Sequence, residues 1–238
     1  MLILGNDIVD FCKCGINNKS QHQRFMERVF NEHERKTITS SENPDVALWL
    51  FWSAKETAFK VISKISEAPV FSHKKFETAL LQQHGSKYDL SVTYNETNVC
   101  VEASATEEYV HATGFQQGLF ARTDFKVKWD LHKISAAETN VWQDNSTWQK
   151  YFSEAELQSI HHPNSALIRY HCKISIAKTL HLDTARLQIL RQQKNEKSLP
   201  PFLLLDEKKS DIDISLSHHG DWLAWCFSFP VQDVLTRI

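Results

Sequence analysis

The sequence predicts an α+β protein of two similar lobes, each with a long helix packed on a mainly antiparallel sheet, which together form a pseudo-dimer. Three observations predict this class: an internal repeat, one long helical segment in each half, and short strand-like segments after each helix. We expect the first lobe to span residues 1–122 and the second lobe to span residues 123–238.

The repeat is clearest between "VFNEHERKTI" at 29–38 and "YFSEAELQSI" at 151–160, an offset of 122 residues. Both segments carry a phenylalanine, a small polar residue, two glutamates, a hydroxyl residue and an isoleucine. Continued at this offset, the alignment places three polar residues of the first lobe opposite unlike residues, with Asp7 on Trp129, Glu56 on Lys178 and Lys60 on Leu182. A shorter offset near the end of each lobe places Ser104 on Ser217 and Ala105 on His218.

Each lobe shows its elements in the same order. In the first lobe, "LILGNDIV" predicts a strand, and "NPDVALWLFWSAKETAFKVISK" predicts a long helix with Asn43 as N-cap and Pro44 at its first position. The segments "YDLSVTYN", "NVCVEASA" and "YVHATGFQ" predict strands. In the second lobe, "ARTDFKVKWDL" opens the fold, residues 166–181 form the helix, and "DIDISLSHHGDWLAWCFSF" forms a hairpin.

The composition indicates a soluble globular protein. A formal charge of -2 and the absence of a long apolar run argue against a membrane span and against a basic surface for nucleic acid. The five cysteines are scattered, and the first ten residues lack the features of a signal peptide, so we expect a cytoplasmic location. The pair Cys12 and Cys14 is weak evidence for zinc, and we interpret it as a chance spacing.

A few charged residues stand in apolar surroundings. Asp7 lies in the first strand, and Glu56 and Lys60 lie four residues apart on one face of the long helix. If the helix crosses the strand, the two carboxylates converge, which suits Mg²⁺, and the nearby lysines suggest a phosphate-bearing ligand. The alternative is an ordinary Glu56–Lys60 ion pair on a solvated face, with Asp7 capping a turn.

Three motifs resemble those of the 4'-phosphopantetheinyl transferases. "GNDIVD" is similar to the G-x-D-I-V-E opening of holo-acyl-carrier-protein synthases, "WSAKETAFK" is similar to W-[ST]-x-K-E-[AS]-x-x-K, and "ISLSHHGDW" is similar to the strand-end S-x-S-H motif. Members of this family use magnesium to move the phosphopantetheine arm of coenzyme A to a serine of an acyl or peptidyl carrier protein, and release 3',5'-ADP.

The resemblance implies a role for each matching residue. Asp7 and Glu56 would hold Mg²⁺, and Lys60 would complete the catalytic group, with Glu56 or a metal-bound water as the base. The residues expected to bind coenzyme A are Ser217, His218, Lys55, Lys173, Arg169 and Lys197. A solvated helix face is an equal alternative for Arg169 and Lys173.

The chain departs from the two-lobed members of the family in three respects. In the surfactin-synthetase-activating type the Ser-His lobe comes first, whereas here it comes second. Val9 stands where those enzymes carry a further acid, so Asp7 and Glu56 are expected to act as in the single-lobe synthases, with Asp10 as a possible outer group. The glycine-rich continuation after the last lysine of the second motif is absent.

We expect one site per chain, built from the acids of one lobe and the Ser-His pair of the other, and an active monomer. Basic residues are in excess at 11–36, so Arg24 and Arg28 are expected to dock an acidic carrier protein, the alternative being a solvated helix face. Two other functions stay open: a non-catalytic binder of coenzyme A or of a carrier protein, and another magnesium enzyme that acts on a phosphorylated nucleotide.

Overall fold

The computed structural model describes residues 1–13, 17–66, 71–116, 125–194 and 197–231, except the side chains of residues 194–197. The chain divides into two compact units. The first unit is Gly5–Leu119, and the second unit combines Met1–Leu4 with Phe120–Ile238. The expected lobe boundary at 122/123 falls outside the described residues, and the inclusion of Met1–Leu4 in the second unit was not foreseen.

The first unit begins with a strand and three helices and continues with a run of strands. The elements are β1 (Leu4–Asp10), α1 (Gln23–Val29), α2 (Glu32–Thr39), α3 (Pro44–Ile65), β2 (Glu77–His84), β3 (Lys87–Tyr94), β4 (Thr97–Ala105) and β5 (Tyr109–Gln116). Local signals set the helix starts. The Asn43 side chain accepts from Val46 N, and Pro44 occupies the first turn of α3, where its missing N–H costs nothing.

The sheet of the first unit has the strand order β1-β5-β4-β3-β2, and β2 to β5 pair antiparallel with their neighbours in sequence. The helix α3 packs on this sheet at very close range. A Cβ on Gly5 of β1 would lie 2.2 Å from the carbonyl oxygen of Thr57, and a Cβ on Gly114 of β5 would lie 2.8 Å from the Thr57 methyl group. The two glycines therefore allow the edge of the sheet to approach the middle of α3.

The second unit has a similar order of elements, but its strands form separate small sheets. Its elements are β6 (Phe125–Lys133), α4 (Ala136–Trp142), α5 (Asn145–Trp148), α6 (Glu154–Leu157), α7 (Pro163–Leu180), β7 (Leu187–Leu190), β8 (Gln193–Lys194), β9 (Lys197–Ser198), β10 (Phe202–Leu205), β11 (Lys208–Lys209), β12 (Asp213–His219) and β13 (Trp222–Pro230). The strands form the orders β12-β13-β6 and β11-β10-β7, with β10 also in contact with β12.

In both units the opening strand thus pairs with the last strand. In the first unit, β2, which follows the long helix, lies at the opposite edge of the sheet. The core of the second unit surrounds α7 and includes buried Ile168, Ile176, Ile214 and Phe227. The predicted α+β class, the long helices and the predicted strands are confirmed. The sequence did not predict β2 or the short strands β7 to β11. In the described part of the chain, no helix has the length and hydropathy needed to cross a membrane.

Candidate active site

The first unit brings Asp7, Glu56 and Lys60 together where β1 passes over α3. Asp7 is 8% exposed, and its Oδ1 accepts a hydrogen bond from Lys60 Nζ at 3.0 Å. The same Nζ donates to the main-chain oxygen of Asn6 at 2.6 Å. Lys60 therefore ties the helix to the strand and holds one oxygen of the Asp7 carboxylate in a fixed position.

Glu56 lies on the same face of α3, one turn before Lys60. Burial and, secondarily, the negative charge of Asp7 raise the pKa of Glu56 to about 7, and the positive charge of Lys60 opposes this increase. The carboxylates of Asp7 and Glu56 thus repel each other, and the positive charge of Lys60 offsets this repulsion only in part. Such a pair offers hard oxygen ligands, which Mg²⁺ prefers.

His111 belongs to this cluster and was not predicted. It lies in β5, the neighbour of β1, and is 2% exposed. Burial, followed by repulsion from Lys60, lowers the pKa of His111 to about 3, so the imidazole is neutral beside the lysine. The signal in the sequence was a histidine in the predicted strand "YVHATGFQ", but only the strand order places that strand beside Asp7.

Lys55, which was expected to bind coenzyme A, has a structural role instead. Its side chain is fully buried, and Nζ donates to Glu34 Oε1 at 2.6 Å, to the oxygen of His73 at 3.0 Å and to the oxygen of Phe76. All three N–H donors of the ammonium are thereby used. The structure contradicts the prediction for Lys55, because the side chain has no donor left for a phosphate and no access to solvent.

Glu34 connects three parts of the first unit. Its Oε1 also accepts from Thr78 N at 2.7 Å, and its Oε2 accepts from Asn31 N at 2.8 Å, so Glu34 completes the capping box of α2. We call this arrangement of a capping glutamate, a helix lysine and a strand N–H the Glu–Lys clamp.

The second unit contains a matching Glu–Lys clamp. Lys173 Nζ donates to both carboxylate oxygens of Glu156 at 3.2 Å and to the oxygen of Tyr151 at 3.2 Å. Glu156 Oε1 accepts from Ile189 N at 2.9 Å, and Oε2 completes a capping box with Ser153. Lys173 is 7% exposed and these contacts use its donors, which indicates a structural role, and the binding of coenzyme A by Lys173 stays a prediction.

The two clamps correct the repeat alignment. Glu34 matches Glu156 at the predicted offset of 122 residues, but Lys55 matches Lys173 at an offset of 118, so the long helices align four residues earlier. Lys60 then lies opposite Lys178 and Glu56 lies opposite Ile174. The lysine at this position is therefore present in both units, and the expected exchange of all three polar residues is wrong.

The second unit contains an open cavity of about 830 Å³ beside the start of α7. His218 lines it, together with the basic or imidazole side chains of Arg191, His161 and His162. His218 is exposed at the end of β12, whereas the preceding Ser217 is 7% exposed. Because successive strand residues point to opposite faces, His218 is the member of the predicted pair that faces this cavity.

Arg169 lies behind the cavity wall and is 2% exposed. Its guanidinium donates to the main-chain oxygens of Ser165 and Ser159, two residues that line the cavity, and its Nε has no hydrogen-bond partner in the described structure. Burial and then repulsion from Arg191 lower the pKa of Arg169 to about 10. Two neighbouring guanidinium groups thus give the cavity an excess of positive charge.

The other residues predicted from the sequence lie in β9, in α1 and at the end of β1. The backbone of Lys197 lies in β9, but its side chain is outside the described part of the chain. Arg24 and Arg28 are exposed on α1, and the Arg28 guanidinium lies 6.0 Å from the centroid of the Phe25 ring. Asp10 is buried, and its Oδ1 accepts from Cys12 N at 2.8 Å.

Comparisons with known proteins agree with the first-unit motifs. A family model described as the 4'-phosphopantetheinyl transferase superfamily matches residues 3–114, which include Asp7, Glu56, Lys60 and His111. No curated protein matches the chain. A similar solved structure is the crystal structure of Thermotoga maritima holo-[acyl-carrier-protein] synthase (AcpS), with 15% identity, coverage of 64% of this chain and 76% of that chain, and a TM-score of 0.37. Residues 3–114, slightly less than half of the chain, are therefore similar to the 4'-phosphopantetheinyl transferase superfamily.

Proposed function

We propose that this chain transfers the 4'-phosphopantetheine arm of coenzyme A to a serine of an acyl or peptidyl carrier protein, with Mg²⁺ as the metal and 3',5'-ADP as the second product. The observation that carries the proposal is the Asp7–Lys60 hydrogen bond, with Glu56 close enough to interact electrostatically with both residues, within the segment that matches the family model. A carboxylate pair beside a lysine suits the cleavage of a pyrophosphate, in which negative charge develops on the leaving group.

The residues present fit a magnesium ion. Asp7 and Glu56 would hold it, since their mutual repulsion contributes to the raised pKa of Glu56 and a divalent cation would relieve it. When bound, Mg²⁺ supplies positive charge that neutralises the pyrophosphate. Lys60 keeps Asp7 Oδ1 in position through its 3.0 Å hydrogen bond and adds positive charge on the same side.

Glu56 is the proposed proton acceptor. Without a bound cation the pKa of Glu56 is about 7, so the carboxylate is ionised in a large fraction of molecules near neutral pH and can accept a proton, and a bound cation would lower this pKa. In the proposed step the serine hydroxyl oxygen bonds to the phosphorus that carries the pantetheine arm. The bond from this phosphorus to the oxygen of 3',5'-ADP breaks, and the serine proton passes to Glu56.

We assign phosphate binding to the cavity of the second unit. His218 and Arg191 line this cavity, and Arg169 adds charge from behind it. Coenzyme A carries several phosphate negative charges, which complement two arginines, and no carboxylate stands among the described residues that line the cavity. Ser217 and Lys197 remain proposed contacts of the same ligand.

Mass spectrometry of intact carrier proteins tests the proposal. An apo acyl or peptidyl carrier incubated with the chain, coenzyme A and Mg²⁺ should gain the mass of one phosphopantetheine group, and 3',5'-ADP should appear in equal amount. The same experiment with Lys60→Met should give no transfer, and Lys64→Met in the last turn of α3 serves as the matched control. Binding of coenzyme A without modification of any carrier type would instead support a non-catalytic binder.

A further inference from the structure

A second group of ionisable side chains lies in the second unit and has no part in the proposed transfer. Among the described residues, one group of three potential metal ligands has its ligand atoms within 4.8 Å of one another. The group consists of His132, Glu138 and His171. They come from β6, α4 and α7 respectively. Two consecutive elements, β6 and α4, and the later helix α7 therefore contribute one side chain each to a single point.

The geometry centres on one carboxylate oxygen. His132 Nε2 lies 2.7 Å from Glu138 Oε1, and His171 Nε2 lies 3.7 Å from the same oxygen. The two imidazole rings stack, with centroids 4.1 Å apart and an interplanar angle of 29°. Ligands at ~2.0–2.1 Å around a tetrahedral ion are about 3.3 Å apart, so shifts of less than about 1 Å bring these three atoms around one ion.

An ion pair between His132 and Glu138 does not account for the ring nitrogen His171 Nε2, which lacks a hydrogen-bond partner in the described structure. It is buried and has no hydrogen-bond partner among the described residues, since 3.7 Å to Glu138 is beyond hydrogen-bond range. The ring is held in place by stacking on Trp225, with centroids 5.7 Å apart and an interplanar angle of 14°. A buried ring nitrogen without a hydrogen-bond partner destabilises the folded state. A metal ion coordinated by this nitrogen would remove the penalty.

The two oxygens of Glu138 have separate tasks. Oε2 accepts from Ser135 N at 3.0 Å and from Ser135 Oγ at 2.9 Å, which completes the capping box of α4. Oε1 points away from this cap and faces both histidines. The cap therefore acts as a support that orients the carboxylate, in the way that outer groups orient metal ligands.

The protonation states also favour a cation. Burial, and then repulsion from His132, lower the pKa of His171 to about 4, while Glu138 and Asp130 oppose the decrease. Burial alone would raise the pKa of Glu138, but hydrogen bonds from Ser135 and His132 lower it overall.

We propose that His132, Glu138 and His171 bind one Zn²⁺ ion in the second unit, with water at the remaining position. Two imidazoles and one carboxylate suit zinc and exclude magnesium, which prefers oxygen ligands. The three side chains are 21–30% exposed, so an ion reaches them from solution. The ion would join β6, α4 and α7, and it is separate in residues and in chemistry from the magnesium ligands Asp7 and Glu56.

Calorimetric titration of the metal-free full chain with ZnCl₂ tests the proposal, with MgCl₂ titrated in parallel. We expect one Zn²⁺ per chain and no Mg²⁺ at this site. Each of His132→Gln and His171→Gln should weaken Zn²⁺ binding at least about 100-fold, since loss of even an outer supporting group costs 10–100-fold. His33→Gln is the matched control, because His33 is exposed on α2 and should leave the affinity unchanged.

Cobalt substitution keeps the test decisive if both histidine variants misfold. The wild-type chain with one Co²⁺ should show visible absorption bands of a site with nitrogen and oxygen ligands. A thiolate charge-transfer band would place the ion on a cysteine such as exposed Cys12 and would overturn the proposal. The absence of stoichiometric Zn²⁺ binding, or full affinity in folded His132→Gln and His171→Gln, would overturn it as well.

Discussion

Replacement of Glu56 by glutamine is expected to stabilise the protein at high pH while it abolishes transfer. The folded chain raises the pKa of this carboxyl from 4.5 to about 7, so Glu56 binds its proton more tightly in the folded state than in the unfolded state. Its contribution to stability is therefore fully present below about pH 4.5 and is lost as the pH rises through about 7. Glutamine stays neutral and avoids this loss.

The size of the effect follows from the two pKa values. A change from 4.5 to about 7 corresponds to roughly 3 kcal/mol above pH 7, and solvent screening of the half-buried side chain makes this an upper limit. Glu56→Gln should thus be up to ~3 kcal/mol more stable than wild type near pH 8, and equally stable near pH 4. Urea unfolding of both proteins across this pH range measures the difference.

Magnesium gives the experiment a second arm. If Mg²⁺ binds the ionised acids of the folded chain as proposed, it should stabilise wild type near pH 8 and stabilise Glu56→Gln less. Glu42→Gln, at an exposed glutamate in the same unit, should match wild type in both arms. Identical pH profiles for wild type and Glu56→Gln, or equal stabilisation by Mg²⁺, would refute the inferred carboxylate pair.

Three further predictions concern other parts of the molecule. The folded chain lowers the pKa of His111 to about 3, so stability should fall by up to ~5 kcal/mol as the pH decreases from 6.5 towards 3, and His111→Leu should flatten this acid limb of the urea profile. Glu156→Gln leaves buried Lys173 without its carboxylate and should cost about 3–5 kcal/mol in urea unfolding, of which the double variant with Lys173→Met should recover part; no recovery would argue against the clamp. Charge reversal of Arg24 and Arg28 should raise the apparent KM for an acidic carrier, most at low salt, with coenzyme A affinity unchanged, and a salt-independent KM would count against docking at α1.

The sequence predicted those elements whose signals are local. Asn43 and Pro44 mark the start of α3, and the alternating pattern of "NVCVEASA" marks β4, because capping and strand patterns involve neighbouring residues. Strand β2 was missed because most of its side chains, including Leu81, are exposed and give no such pattern.

The candidate site was predicted in part for the same reason. Asp7, Glu56 and Lys60 were found through motifs with fixed spacing. The role of Lys55 depends on Glu34, 21 residues earlier, and the role of His111 depends on the order of strands in the sheet. Contacts between residues distant in sequence depend on how the fold packs. The sequence therefore indicated an accessible cation for Lys55 and gave no sign of a role for His111.

Gly5 carries no functional group, yet the spacing of the candidate active site depends on it. It stands two residues before Asp7, and the carbonyl oxygen that its missing side chain accommodates belongs to Thr57, the residue after Glu56. Any side chain at Gly5 has to push the strand away from a helix backbone that cannot bend aside, and the carboxylate distance grows with it. A mutational scan scored by activity should therefore rank this glycine with the acids, although it has no side chain that could bind a metal or a substrate. Parallel measurements of folding and of metal affinity would distinguish a residue that takes part in the chemistry from one that sets the distance between the two carboxylates.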